Sequence, residues 1–439
     1  MEFYTIVIIL LAIAIGLSPV ASKMRLPYPV VLLLAGIGVG FIPGIHPVSI
    51  NPEVVFLLFL PPMLYDAAYN ISFKEFKRNL PVISLLAFTL VFVTTGVIAV
   101  AVHYFLGLSW ALSFVLGAIL SPPDAIAATN VTKGLGLPHR TLTVLEGESL
   151  INDASALVAF RFAVAAVAGS AFVPLNAILM FLIALGGGYL FGWLLAHVFL
   201  FIAKKRLDKN VIVSLNLMLP FVAYLLAEEI HVSGVIAVVA IGLCIARHKD
   251  QLPEPTVTQS KSVLDTVIFI LGGLVFILIG LQFPQVLKSI SPDRFLPLIA
   301  CSFLIFAVAL LIRMATIFWH KMRMKNQYHT LISRVQTMNV QHIERMNRRF
   351  PNQKAFDDRM ENFKSLLLTG KEAIIIGWSG MRGIVSLAAA LSLPLLMTDG
   401  NRFPERDTII FLTVSVVIIM LVVQGLGLPV LIKILKKFR

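Results

Sequence analysis

Charge is what this chain has least of. Only 13% of its 439 residues are Asp, Glu, Lys or Arg, against 58% that are hydrophobic. A soluble globular domain carries roughly a quarter charged residues, so this composition excludes one and points to a chain that lies in lipid. Cysteine is scarce too. Cys244 and Cys301 are the only two, and both lie in apolar runs, which argues for packing and against disulfide or metal work. No Cys/His cluster is present for a transition metal. No small-residue cleavage site leads from the apolar N-terminus into a polar mature region, so that run reads as a retained helix and not a signal peptide. The formal charge of +13 does not gather into a patch for nucleic acid. The basic residues stand at the ends of apolar runs, which is a topology signal.

What is there is apolar length. A spanning helix needs about 20 mostly apolar residues. Thirteen segments qualify, roughly 3–21, 28–44, 52–70, 81–106, 109–133, 139–169, 173–203, 210–230, 232–247, 262–284, 294–320, 371–396 and 407–432. The expected division is 1–320 for segments one to eleven, 321–370 for a basic cytoplasmic loop or helix, and 371–439 for the last two. Alternate loops hold 29 and 4 of the 36 Lys and Arg, with Arg161, Arg313 and Arg382 inside segments. That asymmetry places the N-terminus outside and the C-terminus in the cytoplasm. In 321–370, Leu331, Ile332, Val335, Met338, Ile343 and Met346 are roughly helix-spaced among basic residues. A helix near anionic headgroups, a regulatory surface and a solvated linker all fit.

A weak internal repeat is visible. The second segment (Pro29 to Gly40) resembles the ninth (Ser233 to Ala246), and the third and tenth are both Phe-rich. An offset of seven helices inverts the second copy in the membrane, the plan of many secondary transporters. It pairs the fifth segment with the twelfth. The fifth contains Ser121-Pro122-Pro123-Asp124, whose prolines remove two backbone donors and break the helix. The twelfth contains Gly377, Gly380 and Gly383 around Arg382, each glycine weakening a helix by about 1 kcal/mol relative to alanine. Broken helices in corresponding positions point to a transporter's binding site.

Buried polar residues mark the chemistry. Ser149 and Asp153 lie four apart on one face of the sixth segment, with Asn152 beside them. Asp124 sits at the Pro-Pro break, and Asp66 follows Pro61 and Pro62. Counted from the starts of their segments at about 1.5 Å per residue, all three aspartates reach the middle of the membrane or slightly beyond. They either converge on one cavity or are paired separately. Glu148 faces away from Asp153, and a buried arginine needs a carboxylate, so a Glu148–Arg382 pair is the expected clamp. Arg161 lines an outer vestibule, pairs with another carboxylate, or snorkels; spacing does not choose. Glu146, Glu228 and Glu229 stand near segment ends. Carboxylate, hydroxyl, amide and broken-helix carbonyl oxygens suit a small hard cation.

At these motifs the chain resembles the bacterial NhaP-type sodium/proton antiporters of the monovalent cation:proton antiporter-1 family. The resemblance rests on FLPPMLYDAAYN (59–70), SPPDAIAAT (121–129), EGESLINDASALV (146–158) and GWSGMRGIVSLAAALSLP (377–394). It implies an all-α, NhaA-like fold of about thirteen helices with two broken crossing helices. It also implies a homodimer in the plasma membrane and a six-helix core that moves against a dimerisation domain. By matching position, Asp153 would carry the ion, with Asn152, Ser149, Asp66 and Asp124 as further site groups. Glu148 and Arg382 would be the core pair. No cofactor is implied beyond the transported Na⁺ and H⁺, and no enzymatic step. An Asn-Asp pair is associated in the family with electroneutral exchange. Asp66 replaces a common glutamate and Pro123 a common threonine, which changes the detailed coordination. K⁺/H⁺ or Li⁺/H⁺ exchange, a cation channel, and a membrane sensor acting through 321–370 are the alternatives.

Overall fold

The computed structural model describes residues 3–24, 28–42, 52–124, 139–169, 174–205, 207–336, 367–397 and 400–437. Among them the regular structure is helical. The helices are α1 (Phe3–Met24), α2 (Tyr28–Gly40), α3 (Pro52–Asn70), α4 (Phe73–Leu106), α5 (Trp110–Leu120), α6 (His139–Val167) and α7 (Pro174–Ala203). Then follow α8 (Lys209–Glu229), α9 (Gly234–Arg247), α10 (Glu254–Ser289), α11 (Pro292–Gln336), α12 (Gly370–Trp378), α13 (Ile384–Leu391) and α14 (Arg406–Lys437). Each predicted segment falls on described helix, the fifth over its first half and the twelfth divided between α12 and α13; residues 125–138 lie outside the described ones. Seven of the helices are long and apolar enough to cross a membrane, and α2, α5 and α9 are shorter apolar helices. The chain is a multi-pass membrane protein. Its exposed side chains are correspondingly greasy along α7, where Leu179, Met180, Ile183, Leu190 and Phe201 are all open.

The eleventh segment departs from expectation. A helix to about 320 is predicted, and α11 continues to Gln336. Nothing in the basic stretch from Lys321 breaks it, because Lys, Arg, Met and Gln are good helix formers. Leu331, Ile332 and Val335 therefore extend α11, while Met338, Ile343 and Met346 lie outside the described residues.

Helix packing divides into two groups. α1, α2, α3, α7, α8, α9 and α10 pack chiefly on one another, and so do α4, α5, α6, α11, α12, α13 and α14. Within the first group the pairings recur seven segments apart: α1 and α2 lie on α10 as α8 and α9 lie on α3. The α2–α10 contact is backbone to backbone. A Cβ on Gly36 would meet the Ile277 carbonyl, and one on Gly280 would meet that of Leu33. Lipid gives no hydrophobic drive to associate apolar helices, so close approach through small residues supplies the attraction.

A tie closes the α13–α14 connection. Arg294 donates two hydrogen bonds to Glu405, at 3.3 and 3.2 Å, and the Thr408 hydroxyl donates a third. Burial pushes the Glu405 carboxyl up, but Thr408 and Arg294 outweigh it and hold it below the ordinary glutamate range. A depressed carboxyl contributes stability above its unfolded pKa of about 4.3, and loses it as pH falls through the lower folded value. Wild-type protein is therefore expected to lose more thermal stability between pH 5 and pH 3 than Glu405→Gln. Parallel melting curves would refute the tie.

Candidate functional site

Two breaks meet at the centre of the second group. α5 ends at Leu120, and Ser121 to Asp124 run on without helical hydrogen bonds. The prolines explain this, since neither Pro122 nor Pro123 has an N–H to donate. α12 ends at Trp378, and α13 begins at Ile384. The two open stretches bond directly, Asp124 N–H to the Met381 carbonyl at 2.7 Å.

Each break exposes a helix end, and charged side chains satisfy the freed groups. The Arg382 guanidinium donates to the carbonyls of Leu120 (2.8 Å) and Ser121 (3.3 Å), the C-terminus of α5, and to Gly380 (2.6 Å). Asp124 accepts the Ile384 N–H at 3.3 Å, at the N-terminus of α13. The signs match the helix dipoles, a cation at a C-terminus and an anion at an N-terminus. The glycines are there for space. A Cβ on Gly383 would collide with the Asp124 side chain, and one on Gly380 with that of Arg313. Gly380→Ala is therefore expected to displace Arg313 and lower the melting temperature. An unchanged melt would show that the arginine has room to move.

Glu148 has a different partner from the one the sequence suggests. It pairs in a fork with Arg313 of α11, one bond at 2.8 Å and the other to Oε1. Arg313 also donates from Nε to the Ile376 carbonyl in the last turn of α12, at 3.1 Å. Both side chains are 2% exposed or less. The expected Glu148–Arg382 clamp is thus corrected. Arg382 spends its donors on three carbonyls, so it has no need of a carboxylate. Arg313 caps the other broken helix and reaches Glu148 with its free edge. Arg382 is still an electrostatic neighbour of both Glu148 and Arg313. Arg313 is the site residue that sequence reasoning passes over. The available signal was its place as one of three arginines inside apolar segments.

Asp153 lies at the midpoint of α6, 14 residues from either end. It is 5% exposed, and its charged neighbours are Asp124 and Glu148. Among the described residues its carboxylate accepts no hydrogen bond and joins no ion pair. Beside it, Asn152 donates to the Pro123 carbonyl at 3.4 Å, while its buried Oδ1 has no hydrogen-bond donor. Ser149 is half-buried one turn before Asp153. The structure therefore brings Asp153, Asn152, Asp124, Glu148, Arg313 and Arg382 together around the crossing.

Asp66 belongs to another neighbourhood. It is half-buried one turn from the end of α3 and accepts a hydrogen bond from Asn70 at 2.6 Å. Its charged neighbours are Asp265, Lys261 and Lys249. It stands four residues before the last residue of α3, which spans Pro52–Asn70 as the sequence predicts. Lys249 lies here, with its ammonium 3.3 Å from the Tyr69 carbonyl and 4.0 Å from the centre of the Tyr69 ring. Arg161 resolves to the pairing alternative and bridges Glu228 of α8.

Residues 6–434 match the family model described as sodium/hydrogen exchanger, transmembrane. An uncharacterised Na⁺/H⁺ exchanger of Mycobacterium tuberculosis is 34% identical, over 98% of this chain and 74% of its own. A sodium, potassium, lithium and rubidium/H⁺ antiporter of Bacillus pumilus is 32% identical over 98% of this chain. The chain spans about three fifths of that relative's length. Among solved structures, the sodium proton antiporter MjNhaP1 of Methanocaldococcus jannaschii superposes with a TM-score of 0.71. It is 17% identical, covering 98% of this chain and 97% of that one, and shares the fold.

Proposed function

The chain belongs to the sodium/hydrogen exchanger family, and from that premise we propose that it exchanges a monovalent cation, Na⁺ foremost, for a proton by alternating access. The observation that carries this is the charge balance at the crossing. Two buried guanidinium groups, Arg313 and Arg382, face three buried carboxylates, Glu148, Asp124 and Asp153. Four of these five groups hold protein partners. Asp153 is the carboxylate left over, and a bare buried anion is costly. One proton or one monovalent cation restores neutrality, and the two compete for the same oxygens. If the site opens to one side at a time, that competition couples their movements.

The same balance sets the stoichiometry. Asn152 is neutral, so the excess is one charge and the proposed exchange is one for one and electroneutral. Asn152 Oδ1 and the oxygens near the break are the proposed further ligands, with Ser149 on the same face of α6. Asp66 is proposed to gather cations at the cytoplasmic mouth and not to share the central site. The cation and proton are cargo, so we assign no cofactor and no enzymatic step. The proposed setting is the plasma membrane, as a homodimer of thirteen-span protomers with the N-terminus outside. Selectivity extending to K⁺ and Li⁺ has specific support in the name of the Bacillus relative.

The test is exchange by purified protein in proteoliposomes with Na⁺, Li⁺ and K⁺ compared. Cation addition is expected to dissipate an imposed pH gradient at a rate that a potassium–valinomycin voltage clamp does not alter. Cation current without proton movement would overturn the reading in favour of a channel.

A further inference from the structure

The bridge between Arg161 and Glu228 joins the two helix groups. Arg161 lies on α6, in the group that holds the crossing, and Glu228 on α8, in the other. The contact is a fork, with Nη2 to Oε1 and Nη1 to Oε2 both at 2.9 Å. Glu228 is fixed from its own side, since Oε1 also accepts the Gly234 N–H at 3.0 Å, at the first turn of α9. Tyr224, one turn earlier on α8, adds its side chain to Arg161. Along α6, Arg161 stands two turns beyond Asp153, about 12 Å by helical rise. Leu157 and Phe160 lie between them, 6% and 7% exposed.

This placement does two things. It sets two buried apolar side chains, Leu157 and Phe160, and then an ion pair along α6 between Asp153 and the Glu228 end of the molecule. It also ties the helix that carries Asp153 to the helices that do not. By the distribution of Lys and Arg, that end is the outer one.

We propose that Arg161 and Glu228 form an outer latch, closed in this structure, which must open whenever Asp153 is reached from outside. This rests on the alternating-access reading above. Both are positioning residues that act by setting which side has access, not by holding the ion. A partly exposed pair is a weak tie, as a latch broken in every cycle must be.

The test uses thiols introduced at both positions, Arg161→Cys and Glu228→Cys, with Cys244→Ser and Cys301→Ser removing the native ones. A bis-maleimide of side-chain length joins them, and a monofunctional maleimide serves as control. In proteoliposomes the unjoined protein is expected to exchange, and the joined protein to lose at least 90% of that rate. Exchange that survives joining overturns the latch. Absence of exchange in unmodified wild-type protein overturns the transport reading instead. Should the double-cysteine variant fail to fold, Leu157→Cys serves as a reporter beneath the latch. Adding Glu228→Gln should speed its labelling by an impermeant external thiol reagent about two- to fivefold, the range an exposed ion pair supplies. Unchanged labelling overturns the proposal.

Discussion

Replacing Asp153 with asparagine is expected to abolish cation-driven proton movement while leaving the protein folded. The change is nearly isosteric, and no hydrogen bond or ion pair to the carboxylate is lost among the described residues. It removes the one charge that the two arginines do not balance. The cluster then holds two guanidinium groups and two carboxylates, neutral with nothing bound. A proton has no basic oxygen to occupy there, and a cation would bring an uncompensated positive charge into a buried site. The expected result is exchange below about 1% of wild type, since carrier and coupling go together. The melting temperature should stay the same or rise, because a costly buried anion is gone. Exchange at more than a tenth of the wild-type rate would sink the assignment of Asp153 as carrier. A collapsed melt would show that the carboxylate holds the fold through groups outside the described residues. Glutamate at the same position keeps the charge but moves it one methylene outward, so Asp153→Glu should retain coupled exchange with altered cation affinity.

The sequence made the architecture legible because lipid imposes simple rules. Long apolar runs bounded by basic residues located the helices, and the Pro-Pro and glycine breaks located the crossing. Local spacing placed Ser149 and Asp153 one turn apart on α6, and Glu148 does meet a buried arginine, with Arg313 as that arginine. Partner choice was not legible in the same way. For Asp66, counting along the helix left convergence with Asp124 and Asp153 open, and only packing supplies its charged neighbours, Asp265, Lys261 and Lys249. Arg382 looked like the mate of Glu148 because a buried arginine was assumed to need a carboxylate. That assumption neglects the carbonyls that a broken helix leaves unbonded, which can satisfy a guanidinium as fully as a carboxylate can. Once the break at Leu120 supplies such carbonyls, the carboxylate passes to the other buried arginine. Arg161 and Glu228 are 67 residues apart in sequence, and only the tertiary fold brings their side chains together.

The reassigned pair makes its own prediction, and it separates the two arginines. Arg313→Met removes a two-pronged partner from Glu148 and a donor from the Ile376 carbonyl, all at about 2% exposure or less. Breaking a buried pair by deleting one member costs about 3–5 kcal/mol, because the survivor stays charged and unpaired. The expected outcome is a large fall in thermal stability in detergent, with little folded protein above room temperature. Removing both members by Glu148→Leu with Arg313→Met should cost less than the two single changes added together, as a shared interaction requires. Arg313→Lys should fall between wild type and Arg313→Met, since an ammonium keeps the charge but cannot hold Glu148 and the Ile376 carbonyl in one rigid fork. Arg382 is different in kind. Its bonds go to neutral carbonyls, two at the end of α5 and one at Gly380, so its loss uncaps a helix and leaves the Glu148–Arg313 pair intact. Arg382→Met and Glu148→Leu should therefore combine almost additively in thermal stability, apart from their longer-range electrostatic coupling. If Glu148→Leu instead couples more strongly to Arg382→Met than to Arg313→Met, the pairing across α6 and α11 is wrong, and the clamp runs to the helix break after all.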